Sequence, residues 1–172
     1  MPEMLSILDC SVQKKQISPL YIEGVKVDNL FESLSKKYQT SAKNRGISLQ
    51  FDVIAWAQLV VATDRNQLIF LLEDIIDYSL SLSAGEIITI QAYPSYDSIF
   101  VSFHISFVTK QDIPETVKTF CHARSESWKK QIKQMSGEFH HFQDTQGADH
   151  ISFLLVHWIT ENEGGEIRRH LA

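Results

Sequence analysis

The amino-acid sequence predicts a two-layer α/β sandwich, with a mixed and largely antiparallel sheet of about five or more strands. About three helices are expected to cover one face of that sheet. Three observations support this prediction: strand and helix patterns alternate along the chain, short turn-rich segments join the later strands in pairs, and a central helix has a broad apolar stripe. A chain of 172 residues is long enough to bury one core without a metal or a disulfide.

The first half of the predicted domain contains a strand, a helix and a second strand. Residues 21–27 alternate as in a strand, and Asp28 is a favourable N-cap for the helix that follows. Gly46 is suited to end this helix in the left-handed conformation, and residues 47–53 again alternate strictly. The apolar face of the helix consists of Leu30, Phe31, Leu34, Tyr38 and Ala42.

The strongest helix pattern of the chain follows a short predicted strand at residues 59–62. Asp64 is suited to be its N-cap, and Ala84 and Gly85 mark its end. Because its apolar stripe is broad, this helix is expected to pack on a sheet. The stripe consists of Leu68, Leu71, Leu72, Ile75, Ile76 and Leu80.

The last part of the chain predicts two hairpins with helical segments between them. Since five-residue turns join the strands, we expect antiparallel pairing in both hairpins. The predicted strands span residues 87–93, 99–107, 138–143 and 150–158. The helical segments span residues 114–121 and 128–135, and Gly137 ends the second one.

Composition restricts the classes of function. The 16 Lys and Arg residues against 21 Asp and Glu residues give a net charge of −5, which disfavours nucleic-acid binding. Cys10 and Cys121 form no CxxC pair, which is typical of a reducing compartment. The sequence has neither the apolar length of a membrane span nor a signal-peptide pattern, so we expect a cytoplasmic domain without membrane contact.

The two ends differ from the predicted domain at residues 17–160. Residues 1–16 predict the end of an amphipathic helix, whose apolar face is suited to a protein partner or a second copy of the chain, or equally to packing on the domain's own sheet. Residues 161–172 contain paired glycines and mixed charge, as in a linker or tail. The candidate interaction residues of the first segment are Met4, Leu5, Ile7, Leu8 and Val12.

Short motifs at the start of the central helix and around the hairpins point to one family. They are DRNQL at residues 64–68, DIPE at residues 112–115 and MSGE at residues 135–138. Over residues 17–158, their order resembles the ATP-binding domain of sensor histidine kinases, with particular similarity to hybrid kinases. The resemblance implies the histidine-kinase ATPase fold. It also implies that residues 1–16 correspond to the end of the kinase dimerisation hairpin.

The resemblance places an unusual residue in the ATP site. Tyr78 aligns with the asparagine through which the family binds its divalent cation, and a phenol is a poor ligand for a hard cation. Asp74 aligns with a polar residue that orients water. Asp74 and Asp77 share a helix face by spacing, but no substrate-orienting motif accompanies them, so general acid–base catalysis is not expected.

The loop after the first hairpin also departs from the family pattern Asp-x-Gly-x-Gly. Val108 stands where the family aspartate accepts the adenine amino group, and Lys110 and Asp112 replace the two glycines. The sequence has no glycine between Gly85 and Gly137, so the second glycine-rich stretch of the family is missing as well.

Together these replacements predict a degenerate, non-catalytic domain without bound ATP, magnesium or another metal. Its expected function is protein interaction and signal transmission in two-component signalling, with a kinase dimerisation domain or a response-regulator domain as partner. One alternative is an active ATP-dependent histidine kinase domain with an atypical pocket, in which Asp74 and Asp112 hold the cation. The other is a phosphotransferase with a degenerate ATPase domain, which needs a phosphorylated His from a further segment.

Other residues capable of chemistry have simpler interpretations. His140 and His141 are adjacent on a predicted strand and point to opposite faces, which disfavours a shared metal ion. Ser125 near His122 lacks a third partner and a nucleophile elbow, so a hydrolase is not expected.

Overall fold

The computed structural model describes residues 20–55 and 57–158 of the chain. Its strands are β1 (Ile22–Lys26), β2 (Ser48–Val53), β3 (Val60–Asp64), β4 (Ile87–Ser95), β5 (Phe100–Val108), β6 (Glu138–Gln143) and β7 (Ala148–Val156). Its helices are α1 (Val27–Asn44), α2 (Arg65–Leu82) and α3 (Glu115–Gln134). The predicted segments 1–16 and 161–172 lie outside the described residues. So do the candidate interaction residues Met4, Leu5, Ile7, Leu8 and Val12.

The five-stranded sheet is mixed and has the strand order β2-β4-β5-β7-β6. β2 runs parallel to β4, whereas the other neighbouring strands are antiparallel. β1 and β3 form a separate antiparallel pair, and the N–H of Trp158 joins it to the end of β7 by donating to the carbonyl of Val60 at 2.7 Å. The predicted α/β sandwich is thus confirmed for the described residues.

α2 packs on the inner face of the sheet because its apolar stripe meets the buried positions of the strands. Leu68 and Ile75 of α2 are fully buried, as are Phe103 of β5 and Phe153 of β7, whose rings stack at 4.9 Å. Each such side chain contributes about 1.5–3 kcal/mol when it leaves water. In the part of the chain that the structure describes, none of the helices combines the length and the apolar character needed to cross a bilayer.

Of the two predicted N-caps, the cap of α2 is confirmed and the cap of α1 is wrong. Oδ1 of Asp64 accepts a hydrogen bond at 3.2 Å from the backbone N–H three residues later. α1 begins at Val27, so Asp28 lies in its first turn and does not cap it. The N–H of Val27 instead donates to the carbonyl of Leu59 at 3.0 Å, and this backbone bond satisfies the helix end without a side chain.

α3 is one continuous helix of 20 residues, whereas the sequence predicts two shorter helical segments. The prediction of a break is wrong, because residues 122–127 are mostly polar but contain no glycine or proline to interrupt the helix. Within α3, all of which the structure describes, the buried residues are Trp128 and Ile132. The apolar stripe of this helix is therefore narrow, and its long polar run is a solvated face.

The turn after α3 depends on two residues with different roles. Ser136 adopts the left-handed conformation with φ of 59°, which at the end of a helix is usually adopted by glycine. Gly137 is required for close approach, since a Cβ there would overlap the carbonyl oxygen of Leu154 and lie 2.9 Å from Cγ2 of Ile132. This approach lets β6 begin directly after the turn and pair with β7.

The face of the sheet opposite the helices carries a row of stacked rings. His104 of β5 and His150 of β7 stack at 5.2 Å, and Phe142 of β6 stacks on His150 at 4.9 Å. Nε2 of His104 lies 3.0 Å from Nδ1 of His150, and Nε2 of His150 lies 2.9 Å from Oδ2 of Asp144. Burial, and then the neighbouring His150, lower the pKa of His104.

We expect the pH dependence of stability to reflect the lowered pKa of His104. The folded state takes up this proton less readily than the unfolded state, so stability falls as the pH drops below the unfolded value of about 6.5. The replacement His104→Gln should remove part of the loss between about pH 7 and about pH 5. Urea unfolding at several pH values measures this effect.

The matched control is His140→Gln, because His140 is an exposed histidine on the same face of the sheet. Its pH profile should equal that of the unmodified protein. An unchanged profile for His104→Gln would show that this histidine does not contribute to the pH dependence.

Candidate functional site

Tyr78 of α2 is buried among rings from three other elements. Its ring packs edge-on against Phe107 of β5 at 6.1 Å, Trp128 of α3 at 4.9 Å and His141 of β6 at 6.1 Å. We call these four residues the Tyr78 cluster. Since the Tyr78 side chain is only 4% exposed, its phenol ring occupies the interior where α2 faces α3.

Asp74, one helical turn before Tyr78, connects α2 to α3. Its carboxylate forms an ion pair with Arg124, and its Oδ2 accepts a hydrogen bond from Nε1 of Trp128 at 2.6 Å. The guanidinium of Arg124 also lies 5.4 Å from the ring centre of Tyr78. We call the interaction of Asp74 with Arg124 and Trp128 the Asp74 contact. Both carboxylate oxygens of Asp74 are therefore engaged with α3.

Asp77 has different surroundings from Asp74. Its side chain is exposed, and its charge acts on Tyr38 of α1. Burial first, and then the charges of Asp77 and Glu73, raise the pKa of Tyr38. The two aspartates thus have different partners, although their spacing places them on one helix face.

A buried carboxylate of β7 completes the Tyr78 cluster. Asp149 is only 6% exposed, and its Oδ2 lies 3.5 Å from the hydroxyl of Tyr78. Burial, and then the charge of Asp149, raise the pKa of Tyr78, so the phenol stays protonated and acts as a donor. The other oxygen, Oδ1, lies 3.0 Å from Nε2 of His141.

His141 also contacts a serine of α3. Its Nδ1 lies 2.8 Å from Oγ of Ser125, so Ser125, His141 and Asp149 form a continuous hydrogen-bonded series. The expectation that Ser125 lacks a third partner is therefore wrong, and the histidine involved is not His122. Ser125 and His141 are 16 positions apart, on a helix and a strand that meet only in the fold, so no local motif reveals them.

The end of β5 and the loop after it hold the other three predicted site residues. Val108, Lys110 and Asp112 are all exposed, while Phe107 is buried in the Tyr78 cluster. Nζ of Lys110 donates to the carbonyl of Ser81 at 3.2 Å, near the C-terminus of α2, where the helix dipole favours a cation. Of the six predicted positions, Asp74 and Tyr78 thus meet at α3.

Grooves open to solvent lie on two sides of the described domain. One, of about 410 Å³, lies between α3 and β6 and is lined in part by Ser125, Lys129 and His141. The other, of about 490 Å³, lies where the end of α1 meets the starts of β2 and β4, and includes Lys43 and Glu86. Within residues 20–55 and 57–158, no group of three or more His, Cys, Asp or Glu side chains is arranged to hold a metal ion.

Solved structures identify the architecture. No protein-family model matches the sequence, and no curated protein matches it. The Acinetobacter baumannii histidine kinase AdeS has 15% sequence identity and a TM-score of 0.66, over 90% of this chain and 79% of that chain. The nucleotide-free catalytic domain of histidine kinase ThkA has 16% identity and a TM-score of 0.65, over 79% of this chain and 97% of that chain. The chain has the histidine kinase catalytic fold.

The histidine kinase catalytic fold also matches ThkA in its complex with the response regulator protein TrrA. That comparison has 14% identity and a TM-score of 0.67, over 90% of this chain and 47% of that chain. At such identities the likeness extends to the architecture, so the side chains of this chain have to decide its chemistry. The fold implied by the sequence motifs is confirmed.

Within this histidine kinase catalytic fold, sequence reasoning missed three residues that surround Tyr78. Arg124 lies in a polar helical run, His141 beside a second histidine, and Asp149 at the start of a strand, so none has a distinctive local signal. The buried aspartate carries one indirect signal, since a carboxylate is uncommon at the inward position of an apolar strand. Their association depends on β6, β7 and α3 meeting at α2.

We expect the Asp74 contact to stabilise the domain. The replacement Asp74→Ala should lower the free energy of unfolding by about 1–3 kcal/mol, because the indole N–H of Trp128 loses its acceptor and Arg124 loses its carboxylate partner. Urea unfolding followed by tryptophan fluorescence measures the loss. Asp77→Ala on the same helix is the matched control and should change stability by less than about 0.5 kcal/mol. Equal losses in the two variants would contradict a specific role for Asp74.

Proposed function

We propose that the chain is a non-catalytic histidine-kinase-like ATPase domain that serves protein interaction and signal transmission in two-component signalling. The observation that carries the proposal is the buried ring of Tyr78, held by Phe107, Trp128 and His141. By the sequence resemblance, this ring lies at the position of the cation-binding asparagine. The proposal therefore concerns a pocket that the protein's own side chains occupy.

Displacing Tyr78 is costly for three separate reasons. The ring would lose burial worth about 1.5–3 kcal/mol, together with edge-on aromatic contacts worth about 0.5–1.5 kcal/mol. Its hydroxyl would leave Asp149 with one donor fewer in a buried site. A nucleotide that enters here has to compensate these losses before it gains affinity.

Electrostatics also disfavours a triphosphate and its cation near this site. Asp74 is the aspartate best placed to replace a metal ligand, but its carboxylate is engaged by Arg124 and Trp128. The buried charge of Asp149 would repel phosphate oxygens, by about 4 kcal/mol per unit charge at a separation of about 4 Å and an effective dielectric constant near 20. A complex of magnesium with a nucleotide would thus lack Asp74 as a ligand, and Asp149 would repel its phosphates.

By the sequence resemblance, the short stretch between Phe120 and Trp128 corresponds to the lid that covers nucleotides in the family, and here it belongs to α3. α3 spans Glu115–Gln134 without a glycine, and Arg124 and Trp128 attach its middle to Asp74. The family loops need glycines so that the backbone can approach phosphates. A helix held at this place supports an interaction role over phosphate binding.

For the partner, we propose a kinase dimerisation domain or a response-regulator domain in the cytoplasm. ThkA, which shares the fold, was solved with the response regulator protein TrrA. The outer side of α3 presents Phe120, which is 63% exposed, and Val117 one turn earlier, and such exposed apolar residues favour protein contact. The alternative is a working ATP-dependent kinase, and nucleotide titration distinguishes the two.

We expect isothermal titration calorimetry with Mg-ATP and with ADP to detect no binding up to about 1 mM nucleotide. The physical reason is the occupied space at Tyr78 and the engaged carboxylate of Asp74. The double variant Tyr78→Asn with Arg124→Ala removes the buried ring and the cation that engages Asp74, and its titration is compared with that of the unmodified protein. Micromolar binding to the unmodified protein would overturn the non-catalytic proposal and favour the active kinase.

The N-terminal segment provides a second proposal, self-association through the apolar residues of the predicted helix. The replacements Leu5→Lys and Leu8→Lys, made together, should convert a dimer into a monomer, because each buries a charge at the contact. Static light scattering gives the mass. Ser6→Lys with Gln13→Lys, on the opposite side of the predicted helix, is the matched control and should stay dimeric. A monomeric mass for the unmodified protein would contradict this proposal.

A further inference from the structure

The hydrogen-bonded series of Ser125, His141 and Asp149 opens onto the groove between α3 and β6. Oγ of Ser125 lies 2.8 Å from Nδ1 of His141, and Nε2 of His141 lies 3.0 Å from Oδ1 of Asp149. We propose that Ser125 is a nucleophile that accepts the acyl or phosphonyl group of small activated esters. This site is separate from phosphoryl transfer from ATP, and it does not require the proposed signalling role.

The proton positions follow from the acceptor at the buried end. An ionised carboxylate only accepts, so Nε2 of His141 carries the proton and donates it to Asp149. In the neutral ring Nδ1 then accepts, and the hydroxyl of Ser125 donates to it. This is the order of a nucleophile, a base and an orienting carboxylate, with the two ring nitrogens exchanged relative to the serine-protease arrangement.

The two ends of the series differ in burial, as a carboxylate that orients the histidine and a reactive hydroxyl require. Asp149 is 6% exposed and has a second donor in Tyr78, so it is fixed, and it holds His141 in turn. Ser125 lies on the groove wall, where a molecule from solvent reaches its oxygen. If the series were only structural, we would expect His141 to pair with Asp149 without its accepting Nδ1 facing the hydroxyl of Ser125, which solvent reaches.

The groove indicates the size and charge of the substrate class. Its volume of about 410 Å³ suits a small ester, and its open shape excludes tight enclosure of a long chain. Lys129 follows Ser125 by one helical turn and lines the same groove as Glu126, so the groove presents one ammonium and one carboxylate near the hydroxyl of Ser125. The class is therefore small esters with a good leaving group and a carbonyl or phosphoryl oxygen.

In the covalent step, Oγ of Ser125 forms a bond to the carbonyl carbon and its proton moves to Nδ1 of His141. The bond between the acyl carbon and the leaving oxygen breaks, and the leaving alcohol takes the proton from His141. The backbone N–H groups of α3 are used within the helix, so they do not form an oxyanion hole. Because each such donor is worth about 100- to 1,000-fold in rate, we expect capture of reactive esters with slow turnover.

The test is covalent labelling of the full chain with a biotinylated alkyl fluorophosphonate at neutral pH. Oγ of Ser125 bonds to phosphorus, the P–F bond breaks and fluoride leaves, while the proton passes through His141 to solvent. We expect peptide mass spectrometry to find the adduct on Ser125, and Ser125→Ala to lose it. Ser127→Ala is the matched control, since Ser127 is an exposed serine of the same helix, and its labelling rate should equal that of the unmodified protein.

The role of His141 has its own variant. His141→Gln keeps an amide donor for Asp149 but has no base, so labelling should slow by about 100-fold or more. The unmodified chain unfolded in urea provides a second comparison that does not depend on how any variant folds, and it should label as slowly. Absence of an adduct on Ser125, an adduct on other serines instead, or an equal rate in the unfolded chain would each overturn the proposal.

Discussion

The arrangement around Tyr78 depends on one buried carboxylate, because this group needs hydrogen-bond donors. Asp149 lies at the inward face of β7, and an unpaired charge there would cost several kcal/mol. Its two oxygens face the hydroxyl of Tyr78 from α2 and the imidazole of His141 from β6. Through Ser125 the same carboxylate also acts on α3. One charge therefore connects four elements, β7, α2, β6 and α3, at this end of the domain.

α3 shows why such polar contacts matter. Trp128 and Ile132 are the residues that it buries, so the apolar attachment of this helix is small compared with that of α2. Helices with little buried apolar surface open at lower free energy than the rest of a domain. The Asp74 contact and the bond of Ser125 to His141 hold the helix within about one turn, at Arg124, Ser125 and Trp128. Polar groups here specify position, while the core supplies most of the stability.

Sequence reasoning predicted what local periodicity and capping determine. The stripe of α2, the cap at Asp64 and both hairpins follow from patterns that lie within one element or between neighbours. The predicted cap at Asp28 and the predicted break in α3 were wrong, because a distant carbonyl and the absence of helix breakers decided those ends. At the site, Tyr78 was singled out from its position in a motif. Its partners come from 29 to 71 positions away, and no local pattern records such distances.

The Tyr78 cluster and the series of Ser125, His141 and Asp149 are coupled through the carboxylate of Asp149, which both contact. A ligand that displaced Tyr78 would remove one donor from Asp149 and leave His141 as its remaining partner among the contacts of the described residues. Asp149 would then be paired with His141 alone, and a shift of that ring would also change its contact with Ser125. Conversely, the protonated phenol of Tyr78 moderates the charge of Asp149. Tyr78 and His141 therefore share one buried charge, and a change in either side chain alters the hydrogen bonding of the other.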